Sequence, residues 1–256
     1  MSGSLRIFEH NLLVYRRSWR GSVMVSFVSP LFFLTAMGVG LGSLVNRGGG
    51  GGVGGVPYLD FLAPGLLATT AMQTAMIETT YPIMAKVYWE RTYEGMLATP
   101  VKVRDLLGGE ALWVLARLFV VEILFFLALL VFRIPKTPGA GLAVLAAVLT
   151  GMAFAMPILA FSASQSNDSG FAVIQRFIVM PLFLFGGAFF PLSKLPAVLQ
   201  AVAWLTPLAH GVELTRGLTL GHLDPAAAAI DVGVLLLYIL AGFVAASITL
   251  RRRLTK

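Results

Sequence analysis

The stretch LLGGEALWVLARLFVVEILFFLALLVF, Leu106 to Phe132, carries only three ionisable side chains, Glu110, Arg117 and Glu122. Backbone amides in hydrocarbon must be satisfied within their own segment, so an apolar run of about 20 residues reads as a membrane-spanning helix. Five further runs have this character: Ser22–Val45, Phe61–Ala85, Gly139–Phe161, Phe171–Phe190 and Ala226–Leu250. Between the last two, Pro191–Pro225 carries Pro191, Pro196, Trp204, Pro207 and His210. It is too interrupted to span and too apolar for a solvated loop, which predicts short re-entrant or interfacial helices on one face of the membrane. The expected fold is an all-α membrane protein with six transmembrane helices.

Composition agrees. Hydrophobic residues make up 57% of the 256 and charged residues 12%, with a mean hydropathy of +0.85, more apolar surface than one water-soluble core can hide. A net charge of +7 would suggest nucleic acid in a soluble protein. Here the basic residues gather at the ends of apolar runs, so they report orientation in a lipid bilayer, and no nucleic-acid partner is expected. The absence of cysteine excludes disulfides, thiolate metal sites and a cysteine nucleophile. The first twenty residues lack the short apolar core and small-residue cleavage site of a secretory signal, so the N-terminus is expected to be retained.

Six spans place both termini on one side. On that side lie Arg6, Arg16, Arg17, Arg20, Lys86, Arg91, Lys102, Arg104, Arg176, Arg251, Arg252, Arg253 and Lys256. The other side holds Arg47, Arg133, Lys136, Lys194 and Arg216, with Arg117 inside a span. The bias predicts a multi-pass inner-membrane protein with both termini cytoplasmic. Residues 1–21 are read as an interfacial helix on the inner leaflet, because Leu5, Phe8, Leu12, Tyr15 and Trp19 recur at helical spacing with Arg6, His10, Arg16, Arg17 and Arg20 on the other faces. It either positions the first span or helps dock a cytoplasmic partner. Residues 22–256 form the transmembrane domain, and Gly48–Gly55, broken only by Val53, is a tether in the first outer loop.

Catalytic and metal motifs are absent from the sequence. A phosphate-cradling loop needs a lysine and hydroxyl after its glycines, and no lysine precedes Lys86. There is no H-E-x-x-H or G-x-S-x-G motif, and His210 with Glu213, three residues apart, makes an interfacial pair rather than a metal site. The intramembrane charges Glu78, Glu110, Arg117 and Glu122 are more informative, since each costs about 2.5–3.5 kcal/mol at a helix centre unless paired or wetted. Two readings stand: a polar lining for a substrate route, or an ion pair, Arg117 with Glu78 or Glu122, that locks helices together. Gly38 and Gly42 form a small-xxx-small face that permits close helix contact, within a subunit or between two.

The segment between the second and third spans, Lys86 to Asp105, mixes charge with Tyr88, Trp89, Tyr93 and Met96 and reaches a helix stop at Thr99-Pro100. Such residues anchor protein interfaces, or sit at lipid headgroups. Within and around it, YLDFLAPGL (Tyr58–Leu66), AMQTAMIETTY (Ala71–Tyr81), TYEGMLATP (Thr92–Pro100) and GEALW (Gly109–Trp113) closely resemble the ABC-2 type permeases, in the branch of the nodulation lipo-oligosaccharide and daunorubicin-type exporters. The resemblance implies six membrane helices, an N-terminal interfacial helix, a cytoplasmic coupling helix, and re-entrant outer helices before the last span. It also implies a homodimer of permeases with two copies of an ABC ATPase, which would hold ATP and magnesium, leaving no cofactor and no catalytic residue in this chain.

By the same resemblance, Trp89, Glu90, Arg91, Tyr93, Glu94, Gly95, Leu97, Thr99 and Pro100 would form the coupling element that rests in a cleft of the ATPase. Pro207, His210 and Arg216 would belong to the outer gate. The glycine run departs from the family pattern. The substrate class implied is amphipathic: a lipid-linked glycan, a glycolipid or a hydrophobic drug. The alternative is an ion-coupled secondary transporter using Glu78, Glu122 and Arg117 as a relay, against which no inverted repeat is visible.

Overall fold

The computed structural model describes residues 3–47, 52–53 and 55–254. Most of the glycine tether, and Lys256, therefore lie outside the described residues. Among these the protein is all-helical, apart from one isolated β-bridge between Val53 and Val56. Helix α1 is Gly3–Tyr15, and α2 is Trp19–Arg47, with a π-helical turn at Ala36–Leu41. Next come α3 (Tyr58–Thr79), α4 (Tyr81–Met84, continuing as a π turn Ala85–Trp89) and α5 (Thr92–Leu97). Then follow α6 (Val103–Val131), α7 (Pro138–Ser164), α8 (Ser169–Phe185), α9 (Ala197–Trp204), α10 (Pro207–Leu220) and α11 (Pro225–Leu254).

Four helices, α2, α6, α7 and α11, are long and apolar enough to cross a membrane. The 29 residues of α6 extend roughly 43 Å at about 1.5 Å each, against a hydrocarbon core of about 30 Å. Helix α3 is less apolar, because Gln73 and several threonines dilute it, yet it is the centre of the bundle, buried along most of its length. Apolar side chains gain little by leaving lipid for protein, so helix association here depends on close packing. The small residues Ala68, Ala71 and Ala75 of α3 supply it. At Gly151 of α7 a Cβ would lie 2.5 Å from the Leu118 side chain and 3.1 Å from the Ala71 carbonyl oxygen. Helices α3, α6 and α7 thus meet where only glycine fits. Gly38 and Gly42 pack inside the chain, against Leu59 and Tyr58.

Several boundaries differ from the sequence reading. The run Phe61–Ala85 is not one helix: it breaks at Thr80 (φ −93°, ψ −94°), ahead of Pro82, which has no N–H to donate to the carbonyl four residues back and whose ring would clash with it in a continuous helix. The run Phe171–Phe190 stops being helical after Phe185, at Gly186-Gly187, where Gly187 takes φ +90°. Helix α2 begins at Trp19, ahead of the expected Ser22.

The amphipathic stripe of α1 also divides. Ile7 and Asn11 are buried and Phe8 and Tyr15 lie on Trp113, whereas Leu5 and Leu12 stay exposed, as does Trp19, which falls at the start of α2. This helix presses one edge into the protein and leaves another apolar edge uncovered. Its docking on α6 is tight, since a Cβ at Gly109 would stand 2.5 Å from that of Ile7.

The two described chain ends meet at one end of the bundle. Gly3 lies against Asp105, and Leu254 borders the same cavity as Leu97 and Lys102. At the opposite end, α10 reaches the middle of α7, where Gly211 abuts Thr150, and then bonds α3 through Thr215 Oγ1 to the Pro64 carbonyl at 2.8 Å. It ends where Lys136 N donates to the Thr219 carbonyl.

Candidate functional site

The segment Lys86–Asp105 folds as a cap on the end of the bundle that holds both described chain ends, Gly3 and Leu254. Arg91 adopts the left-handed region (φ 52°), which turns the chain sharply out of the π turn and into α5. That short helix ends at Leu97 and residues 98–100 form a turn, as the Thr99-Pro100 stop predicts. Trp89, Glu90, Arg91, Glu94, Gly95, Thr99 and Pro100 are exposed, and a Cβ at Gly95 would meet nothing within 4 Å. Tyr93 points the other way and is fully buried, and Leu97 packs against the core. The cap therefore has an outward face of charge and indole, and one aromatic root.

That root ends at an ion pair. Lys86 Nζ lies 2.7 Å from Glu110 Oε1 and 2.9 Å from Asn11 Oδ1, and Asn11 donates to Glu110 Oε2 at 3.2 Å. Burial, then the Glu110 charge, push the Tyr93 hydroxyl well above its ordinary pKa of 10.0, so it stays protonated. Two helical turns further along α6, Arg117 Nε donates to Glu78 Oε1 at 2.7 Å, while its other nitrogens reach Tyr15 Oη at 2.6 Å and Ser22 Oγ at 2.9 Å. Trp113 Nε1 donates to Glu78 Oε2 at 3.2 Å. Arg117 thus pairs with Glu78, and one face of α6 ties α1, α2, α3 and α4 together. Glu122 is different: it is fully buried and neither carboxylate oxygen has a partner among the described residues.

At the opposite end His210 does not pair with Glu213. Its Nδ1 lies 2.7 Å from Asp231 Oδ1 and its Nε2 lies 2.9 Å from the Trp204 carbonyl oxygen. Both partners are acceptors, which favours the doubly protonated imidazolium; the Asp231 bond is the chief cause of a raised histidine pKa. Glu213 instead takes Arg216 at 3.1 Å. Arg216 also reaches the Phe61 and Gly187 carbonyls and stacks 3.9 Å over the Phe61 ring. Pro207 opens α10 with its missing N–H at the helix start. Asp231 was overlooked in the sequence, although a lone carboxylate inside an apolar run signals a partner elsewhere in the fold.

A cavity of about 330 Å³ lies between α2, α3, α6 and α8. Ser26, Ser29, Thr70, Gln73 and Thr74 line it together with Phe33, Phe125 and Phe183, and the lining holds no ionisable side chain. Threonines elsewhere in the bundle satisfy themselves on the preceding turn, as Thr35, Thr79, Thr150 and Thr219 do. The five polar side chains named here make no hydrogen bond within the described residues. No spacing rule in the sequence groups them, because the cavity joins four helices.

A family model described as ABC-2 type transporter matches residues 5–220. Nodulation protein J of Rhizobium leguminosarum bv. viciae is 33% identical, over 98% of this chain and 95% of its own length. The protein of the same name from Rhizobium leguminosarum bv. trifolii is 31% identical over 98% and 94%. The inner membrane transport permease YadH of Escherichia coli strain K12 is 24% identical over 89% and 86%. The chain is therefore a membrane protein that belongs to the ABC-2 type transporter family of permeases.

Proposed function

We propose that this chain is the transmembrane permease subunit of an ATP-binding-cassette exporter. It moves an amphipathic substrate, a lipid-linked glycan, glycolipid or hydrophobic drug, across the bacterial inner membrane, and the power comes from a separate ATPase subunit. In this reading α2, α3, α6, α7, α8 and α11 are six crossings, both termini are cytoplasmic, and α9 with α10 forms a re-entrant outer gate. Two permease copies work with two ATPase subunits.

The observation that carries the reading is the cap. Trp89, Glu90 and Glu94 face outward while Tyr93 is buried beside the Lys86–Glu110 pair. A push on the outer face therefore reaches α6 and α1 through packed, charged contacts rather than through a loose loop. The uncharged hydroxyl and aromatic cavity suits the polar and apolar parts of an amphiphile, because its polar groups gain hydrogen bonds that the protein leaves unmade.

The test is purification of the full-length chain from its own membranes, followed by transport in vesicles. A soluble ATPase is expected in stoichiometric yield, with transport that requires ATP. Trp89→Ala and Glu94→Arg are expected to leave insertion intact and uncouple ATP hydrolysis from transport. Unchanged export by both variants with normal ATPase association would sink the coupling assignment. Transport driven by a proton gradient without ATP would replace the exporter reading with an ion-coupled one.

A further inference from the structure

Helix α9 is weakly secured by packing. Of its eight residues only Ala203 is buried, while Val198, Leu199, Val202 and Trp204 are exposed. Ala203 joins a small cluster with Leu192 and Ala209, apart from the main core. Little apolar burial opposes its separation from the bundle, which is the character of a segment that opens at low cost. Its C-terminal end is tied instead through two successive carbonyls. His210 Nε2 on α10 lies 2.9 Å from the Trp204 carbonyl oxygen, and Tyr238 Oη on α11 donates to the Leu205 carbonyl oxygen at 2.5 Å.

The His210 tie differs from the Tyr238 tie in needing a titratable proton. Asp231 Oδ1 stands 2.7 Å from Nδ1, so each ring nitrogen faces an acceptor and both must carry hydrogen. A neutral imidazole has one N–H. It keeps the carboxylate, the stronger acceptor, and then turns the Nε2 lone pair on the Trp204 carbonyl. Losing one proton thus converts an attraction on α9 into a repulsion and leaves the contact between α10 and α11 in place.

The charges around His210 leave this role to Asp231. Helix α9 carries no ionisable side chain, and neither does α7, whose Thr150 packs beside Gly211. Lys194 precedes α9, at the end away from Trp204. On α10, Glu213 and Arg216 pair with each other at 3.1 Å. On α3, Asp60 and Glu78 are engaged by Lys136 and Arg117. Helix α11 holds Asp231 and Tyr238 ahead of its terminal arginines, and His222 and Asp224 lie in the turn after α10, roughly three helical turns along.

We infer that His210 is a proton-operated latch for α9: the charged ring holds the C-terminal end of the helix against α10 and α11, and the neutral ring releases it. The bond to Asp231 holds the proton, so release comes above the ordinary histidine value of 6.5, as pH rises at that end of the protein. The latch depends neither on the transported substrate nor on the ATPase.

The chain has no cysteine, so nitroxide labels are carried by Val198→Cys on α9 and Leu237→Cys on α11, both exposed positions. The labelled full chain, diluted with unlabelled chain in lipid nanodiscs, is measured by pulsed electron resonance across the neutral pH range. One distance is expected on the acid side and a second, longer one on the alkaline side. The ratio of held to released α9 should fall by at least about tenfold, the worth of one hydrogen bond to a charged group. Asp231→Asn removes the carboxylate that favours the charged ring and is expected to bring the midpoint down toward about 6.5, a shift that a merely structural aspartate would not produce. His210→Gln is expected to abolish the titration.

A single distance at every pH in the labelled parent overturns the latch, and so does an unchanged titration in His210→Gln. Should the His210 and Asp231 variants fail to fold, Tyr238→Phe decides, because it removes the second tie and leaves the ring site intact. A larger released fraction at every pH supports the latch, and no increase refutes it.

Discussion

Replacing Arg117 by methionine tests how the charges inside the bundle are held. Arg117 and Glu78 side chains are 11% and 13% exposed, so the substitution leaves a buried carboxylate whose remaining partner is Trp113, 3.2 Å away. It also removes the bonds to Tyr15 and Ser22 and the stacking of the guanidinium 4.3 Å over the Tyr15 ring. Breaking one side of such a pair costs about 3–5 kcal/mol, whereas replacing both sides with neutral groups is often close to neutral. Arg117→Met is therefore expected to lose about 3–5 kcal/mol and Glu78→Gln somewhat less, since the glutamine still accepts from Arg117. The double variant should stand within about 2 kcal/mol of the parent.

Reversible unfolding in mixed micelles, followed by circular dichroism, gives the four corners of that cycle. A coupling energy of at least about 2 kcal/mol is expected. Losses that add to within about 0.5 kcal/mol would show that the two residues do not act as a pair, and the ion-pair account would fail.

Two further perturbations address the two ends. Gly109→Val places a side chain where even a Cβ stands 2.5 Å from Ile7; it is expected to cost about 1–3 kcal/mol and to open α1 to limited proteolysis, and unchanged protection of Gly3–Tyr15 would contradict the docking described. His210 titrates above the ordinary 6.5 because it donates to Asp231, so its stabilisation is complete below about pH 6.5 and fades as pH rises through the higher folded-state value. Unfolding measured from pH 5.5 upward should show that loss, and His210→Gln should flatten it; an unaltered profile in the variant would assign the loss to another group.

Much of the architecture was legible in the residues. Runs such as Leu106–Phe132 must be helical because hydrocarbon offers no partner for backbone amides, and the Thr99-Pro100 stop, the cap segment and the family relationship are all local patterns. The break at Thr80-Tyr81-Pro82 was also available, since proline cannot donate to the carbonyl four residues before it, but the hydropathy of the run concealed it.

Partner choice was not legible. Arg117 had two carboxylates within reach of a sequence argument, and only helix packing brings Glu78 rather than Glu122 to it. His210 shares a helical face with Glu213, yet it bonds Asp231, 21 residues away on α11, because α10 crosses that helix. The hydroxyl cavity is likewise assembled from segments that no spacing relates. Local sequence determines what each segment must be in lipid, through backbone hydrogen bonding and periodicity. Which charges neutralise one another, and which polar groups are left for a ligand, depends on how the helices rotate and cross, and that is decided by close packing at positions such as Gly109 and Gly151.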